Sequence, residues 1–362
     1  MKKTVFVDLH VLQNLPPSCL NRDDTGSPKS AVYGGVRRAR VSSQAWKHAM
    51  RKMFRDNFNE AELGSRTRLV FNLIADEMLK LKPDMPYDDA ISKAKAILDK
   101  AKVKASAKKG DENKLSAMFF IGLQQAKNLA ALAAGSLADN EKEAEKEILN
   151  ALKNNNAVDV ALFGRMVADN PTLNCDASAQ VAHAISTHKA ENEYDFFTAV
   201  DDLSPEDTSG AGHMGTVEFN SATMYRYATV AAHNLFEQLG GDTDAINKAI
   251  REFTRAFVYS LPTGKQNTFA ANTIPDAVLV VVRTDRPLSF AAAFETPIRS
   301  EGIMPASAKA LEKYALESYE DFCSAPQKSY IAGRYLAQLG SRLPMEQLLD
   351  TLGSDVAEMV QL

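Results

Sequence analysis

Nine cationic side chains, Arg22, Lys29, Arg37, Arg38, Arg40, Lys47, Arg51, Lys52 and Arg55, crowd 34 residues whose only acids are Asp23 and Asp24, a local net charge of +7. Chemistry of this kind is electrostatic, not covalent. Forked guanidiniums and flexible ammonium groups suit the phosphates of a polyanion. The pair Gly34-Gly35 allows close backbone approach, and Ser42, Ser43 and the free amides of a helix start can cradle a phosphate. Such a segment grips the sugar-phosphate chain and does not read bases. Five contacts of this sort to a single strand give a slope of log affinity against log salt of about −3.5, from roughly −0.7 per phosphate.

The rest of the chain sharpens that asymmetry. Of 362 residues with a net charge of −4, residues 1–60 carry +6 and residues 61–362 carry −10, a cationic patch on an acidic body. Other chemistries fit less well. Gly264-Lys265 lacks the earlier glycine and the following Ser/Thr of a phosphate loop, although Lys265 can still meet a phosphate. His183 and His188 stand five apart with no glutamate between them, which does not make a helical metal pair. Asp23-Asp24 and Asp201-Asp202 could hold a divalent ion, but adjacent loop carboxylates more often form turns or meet nearby arginines. Cys19, Cys175 and Cys323 are scattered and odd in number, so neither a zinc cluster nor a disulfide framework is signalled. No catalytic group, cofactor or metal is expected.

The elements that must position these residues are partly visible. Val5, Val7, Leu9 and Val11 alternate with their neighbours and predict a strand over 4–13, ended by Pro16-Pro17, with 18–41 as a loop. Ser42 is expected to cap a helix that buries Trp46, Met50, Met53, Phe54 and Phe58 and carries Lys47, Arg51 and Arg55 as a stripe. From about 60 to 165 the composition turns to Ala, Leu, Lys and Glu, an inserted helical domain with segments at 115–134 and 141–152. Its lysines from Lys93 to Lys109 read as a solvated face. Strands are expected at 224–227 and 277–282, and helices at 229–239, 244–259, 289–296, 307–323 and 344–351. The apolar run Ala277 to Val282 is far short of the roughly 20 residues of a membrane span, and Asp8 and His10 interrupt any leader. A cytoplasmic protein is expected, with no membrane partner.

The order of motifs carries a resemblance. Leu9-His10-Val11-Leu12, Pro17 to Asp24, Gly34-Gly35 with Arg37-Arg38, and Val41-Ser42-Ser43-Gln44 with Lys47 resemble the backbone subunit of the type I-E CRISPR Cascade complex. That is the CasC group of the seventh CRISPR-associated family. The likeness continues through Gly164-Arg165-Met166, Ala182 to His188, Phe197 to Leu203, Tyr225-Arg226-Tyr227 and Gly264-Lys265-Gln266, and is weakest from 60 to 155.

The resemblance implies an α+β fold: a modified RNA-recognition-type, ferredoxin-like palm with a helical finger insertion and a thumb hairpin. The parts would be palm (1–59), finger (60–160), thumb and connections (161–223), and second palm part with C-terminal helices (224–362). It implies RNA contacts at Arg22, Lys29, Ser42, Gln44, Lys47 and Arg51, to which the charge pattern adds Arg37, Arg38 and Lys265. It also implies a wedge of Met166 and Phe197 beside displaced nucleotides, where composition alone would make both core. The implied partners are CRISPR guide RNA, target DNA, further copies of the chain, other Cascade subunits and a recruited nuclease-helicase. Type III relatives cut target RNA with a loop aspartate, so a metal-dependent endonuclease using Asp23 or Asp24 is the alternative.

Overall fold

The computed structural model describes residues 4–135, 140–167, 169–199 and 213–362; Asp201 and Asp202 lie outside them. The chain begins with β1 (Phe6–Ser18), β2 (Ser30–Tyr33), β3 (Val36–Val41) and α1 (Ser43–Asn57). An insertion follows, made of β4 (Gly64–Thr67), α2 (Val70–Leu81), α3 (Tyr87–Lys100), β5 (Phe119–Gly122), α4 (Leu123–Ala134) and α5 (Glu141–Lys153). Next come α6 (Val158–Phe163), β6 (Ala179–Val181), β7 (Ala184–Ser186), β8 (Glu193–Ala199) and β9 (His213–Ala231). The last part holds α7 (Ala232–Gln238), α8 (Thr243–Tyr259), α9 (Gln266–Phe269), β10 (Ala277–Arg283), α10 (Ile303–Asp321), β11 (Lys328–Gly333), β12 (Ser341–Arg342) and α11 (Met345–Met359).

The main sheet runs β12-β11-β10-β1-β9-β7-β3-β2, with β6 and β8 also paired to β9. At its centre β1, α1, β6/β7, β9, α8 and β10 form a βαββαβ unit in the spatial order β10-β1-β9-β6/β7, all antiparallel. This is the ferredoxin-like palm of the expected α+β fold. Strand alternation explains the two layers against it. Val7, Leu9 and Val11 of β1 share one core with Trp46, Met50 and Phe54 of α1, Ile246, Ile250, Phe253 and Phe257 of α8, and Leu348, Leu352 and Val356 of α11. Leu12 on the opposite face joins Tyr225, Tyr227, Phe290, Phe294 and Leu311 of α10. The insertion has its own core, with Phe71, Ile74, Met78, Ile97, Leu98, Leu129, Ile148 and Leu152.

Several sequence expectations are corrected. Pro16-Pro17 does not end the first strand, because the register of β1 on β9 shifts between Leu15 and Ser18 and the prolines sit in that irregularity. The expected 18–41 loop contains the hairpin β2–β3, closed by Gly34 and Gly35 at φ +60° and +73°. A Cβ on Gly34 would fall 1.7 Å from the Glu295 carbonyl oxygen, so only glycine fits. Residues 229–231 end β9 and are not helix, since Val230 pairs with both Val7 and Ala179. The helix expected from 115 starts only at Leu123, after β5 pairs with β4. No helix among the described residues is long and apolar enough to cross a membrane.

The α10 side of the sheet encloses a polar chain. Asp8 accepts from the Tyr227 hydroxyl at 3.0 Å and from Leu288 N–H at 2.8 Å. The Tyr225 hydroxyl accepts from Phe290 N–H at 3.0 Å and is hydrogen-bonded to Nδ1 of His10 at 2.9 Å, whose ring stacks on Phe290. Burial raises Asp8 to about 6, and burial followed by the Arg283 charge lowers His10 to about 3. The signs oppose. Stability from Asp8 is present below its unfolded value of 3.8 and lost as pH rises to about 6; stability from His10 is present above 6.5 and lost as pH falls. Asp8→Asn should therefore remove the loss of stability that ionisation of Asp8 causes as pH rises to about 6, at the expense of one acceptor, since an amide offers one oxygen where the carboxylate serves the Tyr227 hydroxyl and Leu288 N–H with two. It should also make stability fall more steeply between pH 6 and 4, where His10 is left unopposed. Urea denaturation across that range checks this, and a slope between pH 6 and 4 unchanged from the parent overturns the assignment.

Candidate nucleic-acid interface

The cationic segment is assembled around Asn21. Lys29 N–H donates to the Asn21 carbonyl at 2.9 Å, Arg40 N–H to the Lys29 carbonyl at 2.9 Å, and Ser42 N–H to Asn21 Oδ1 at 2.9 Å. Backbone bonds thus tie the 19–29 loop to the β2–β3 hairpin, and the Asn21 side chain ties it to the start of α1. The Ser42 hydroxyl accepts from Ala45 N–H and caps α1, as its position in the sequence predicts. Capping leaves Ser42 only 7% exposed, while Gln44 projects outward and Lys47 lies half-buried one turn on. A second loop joins them. A Cβ on Gly264 would lie 2.4 Å from the Leu20 carbonyl oxygen, so this glycine lets the 262–266 segment press on the 19–20 backbone. That close approach puts Lys265, left-handed at φ +52°, beside Arg22, and both charges act on the Cys19 thiol.

Among the described residues Arg22, Lys29, Arg37, Lys47 and Lys265 form no ion pair. Their mutual influence is visible at His183, whose Nδ1 accepts from Arg40 Nη1 at 2.9 Å. Burial, then Arg40, Lys29 and Lys47, hold that imidazole below its ordinary range. Beside Lys265, Gln266 walls a cleft of about 660 Å³ with α1, and both polar atoms of its amide are buried without a hydrogen-bond partner. Asn21, Arg40 and Gln266 are absent from the sequence-derived contacts. Only an Asx-type turn signal around Asn21 could have pointed to the first.

Two of the expected contact residues are already engaged within the protein. Arg38 is fully buried, with Nε donating to the Tyr33 carbonyl at 3.1 Å, Nη1 to Ser186 at 3.1 Å and Nη2 to Phe294 at 2.8 Å. Its guanidinium is saturated by backbone and does not reach the surface, because β3 turns Arg38 inward and Arg37 outward. Arg51 is engaged by Asp159, Nε to Oδ2 at 2.9 Å, and by the Gly64 carbonyl at 3.1 Å. Asp23 is a turn former: Oδ1 accepts from Thr25 N–H at 3.0 Å, Thr25 Oγ1 at 2.7 Å and Ser27 N–H at 3.0 Å. These bonds, the Thr25 hydroxyl foremost, hold it below the usual carboxylate range. His188 bonds to the Lys189 carbonyl and Thr223 N–H.

Met166 and Phe197 are not core. Met166 is 81% exposed, projecting after Arg165, which is buried and donates to the carbonyls of Leu173, Phe120 and Leu152. Phe197 is 39% exposed on the β8–β9 ribbon, where it lies over Gly215 on the opposite strand.

A family model described as CT1975-like protein matches residues 7–353. The chain belongs to that family. Among solved structures it is similar to a chain of a "CRISPR RNA-guided surveillance complex, pre-nicking", with 36% identity and a TM-score of 0.83 over 97% of this chain and 100% of that one. It is also similar to a chain of a "CRISPR RNA-guided surveillance complex", with 32% identity and a TM-score of 0.63 over 97% and 99%. No curated protein matches it.

In this CT1975-like chain the two adjacent arginines should separate cleanly. Arg38→Ala strands buried carbonyls and should cost roughly 3–5 kcal/mol. Arg37→Ala, on an exposed position, should stay within about 0.5 kcal/mol of the parent. Urea midpoints measure both, and equal effects would contradict the inward placement of Arg38.

Proposed function

We propose that the chain is a non-catalytic backbone subunit of a type I-E, Cascade-type CRISPR surveillance complex, of the CasC group. In this reading copies stack head to tail along a guide RNA in the cytoplasm. They hold it extended for pairing with invading target DNA in antiviral defence. Cleavage is left to a recruited nuclease-helicase, and other Cascade subunits complete the particle. Protein grips the backbone while base pairing reads sequence. The observation that carries the reading is the convergence of Arg22, Lys29, Lys47 and Lys265 from three segments, unpaired, in a chain similar over 97% of its length to chains of RNA-guided surveillance complexes. The exposure of Met166 and Phe197 supports a wedge, since apolar side chains that replace base stacking must first be presented to solvent. An open assembly follows from the same reading, because an element that contacts the guide held by a neighbour makes a heterologous contact.

The alternative, a metal-dependent endonuclease using Asp23 or Asp24, is the less favoured reading, because the Asp23 carboxylate already accepts three bonds that shape its loop.

Reconstitution on a defined guide RNA tests the proposal. Lys29→Gln with Lys47→Gln should weaken binding of every sequence alike and reduce the salt slope by about 1.4, from roughly 0.7 per contact. Met166→Ala with Phe197→Ala should remove periodic chemical reactivity from guide bases. An unchanged slope, or unchanged reactivity, counts against the respective role.

Incubating the same assembly with complementary RNA and magnesium should leave the RNA intact. Regularly spaced cuts abolished by Asp23→Ala or Asp24→Ala would establish the endonuclease instead.

A further inference from the structure

Arg66 lies outside the cationic segment, on the β4–β5 hairpin of the helical insertion. Its guanidinium carbon stands 5.1 Å from the ring centroid of Phe120, its cross-strand partner, and that of Arg51 stands 4.5 Å from the same ring. Lys47 precedes Arg51 by one turn of α1. Lys47, Arg51 and Arg66 therefore form one row across the junction of palm and insertion.

The members of the row differ in what they already hold. Arg51 closes a knot: it binds Asp159 and the Gly64 carbonyl, while Gly64 N–H donates to Asp159 Oδ1 at 2.7 Å. A Cβ on Gly64 would fall 2.8 Å from the Phe120 ring and 3.1 Å from Asp159, so any larger residue there would push those side chains aside. The Arg51 charge is thereby met within the protein. Arg66 is exposed and makes no ion pair among the described residues, and neither does Lys47. Partial burial first, and the nearby Arg66 charge second, hold the Lys47 ammonium below its ordinary range. Two unpaired cations held this close repel each other unless an anion lies against both. The Phe120 ring restrains one face of the Arg66 guanidinium and leaves its outer edge of donors to meet one.

We propose that Arg66 is a further RNA-backbone ligand, holding a phosphate next to the one at Lys47 and carrying the strand from the palm onto the inserted domain. The inference rests on the RNA-holding reading above and adds a cation that the basic segment does not contain.

The test is fluorescence-detected binding of the full chain to single-stranded polyuridine RNA at a series of salt concentrations. Arg66→Gln should reduce the salt slope by about 0.7 and weaken binding about four-fold at 0.15 M salt, with the thermal midpoint unchanged. Arg66→Lys, which keeps the charge, should keep the slope. If Lys47→Gln weakens binding and Arg66→Gln does not, this inference fails and the RNA-holding reading stands. Loss of affinity in Arg66→Gln with an unchanged slope also overturns it, since the lost contact would not be a phosphate. A parent chain that binds no RNA overturns the reading beneath it.

Discussion

A guanidinium buried against neutral oxygens recurs at three places in this fold, and the surface charge depends on it. Arg38 is saturated by the carbonyls of Tyr33, Ser186 and Phe294, and Arg165 by those of Leu173, Phe120 and Leu152. Arg226 donates to Gln13 Oε1 at 2.6 Å and to the Phe257 carbonyl at the end of α8, with its guanidinium carbon 3.8 Å from the Trp46 ring centroid. Burial lowers Arg226 to about 9, so it still carries its proton at neutral pH. None of the three meets a carboxylate among the described residues. Burying a guanidinium this way costs desolvation that carbonyl dipoles and aromatic faces offset only when every element around them is in place. Each arginine therefore locks several segments at once, Arg38 joining the β2–β3 hairpin to β7 and the 294–295 backbone. These three buried arginines take no acidic side chain from the exposed cations beside them. Those cations stay free to meet an external anion.

The palm has the strand order of an RNA-recognition fold, yet the broad face such folds use is closed. Leu12, Tyr225, Tyr227 and Leu279 lie beneath Phe290, Phe294 and α10. Stacking bases there would require displacing a core that includes the Asp8 and His10 network. The cationic surface instead gathers at the edge, where loop, hairpin and helix start meet. An edge made of side chains that contact phosphate accepts any sequence of bases and keeps those bases free to pair.

What the sequence could reveal divides along the range of the interaction responsible. The buried face of α1, its Ser42 cap, the Gly240-Gly241 stop after α7 and the apolar β10 were legible, because each follows from neighbours within a few residues. The hairpin β2–β3 was hidden because its strands are four and six residues long and β3 is half cationic, which defeats an alternation test. Strand β11 was missed for the same reason of length, its place being fixed by pairing with β10. Arg37 and Arg38 look alike in composition, and the carbonyls that make Arg38 the interior one, those of Ser186, Phe294 and Glu295, lie far along the chain. The exposure of Met166 was likewise unreadable locally. It follows from Arg165 being drawn into the insertion, which leaves the next side chain pointing out.

The ribbon that carries Phe197 is not a separate module. β9 is one strand of 19 residues: its first part, from His213 to Phe219, pairs only with β8, and its later part pairs with β1, β6 and β7 in the palm. Tilting the ribbon would mean breaking ladder bonds at its root, where Asn220 still pairs with Ser18 and Glu218 holds the Ser27 hydroxyl at 2.9 Å. Ser27 belongs to the same loop as Arg22, and Asp23 N–H donates to the Ser27 carbonyl at 2.9 Å. The direction of the ribbon and the placement of Arg22 are therefore set by one shared set of bonds. A rigid element continuous with the central sheet holds the Phe197 side chain at a fixed distance from the Arg22 loop, whereas a hinged one could not.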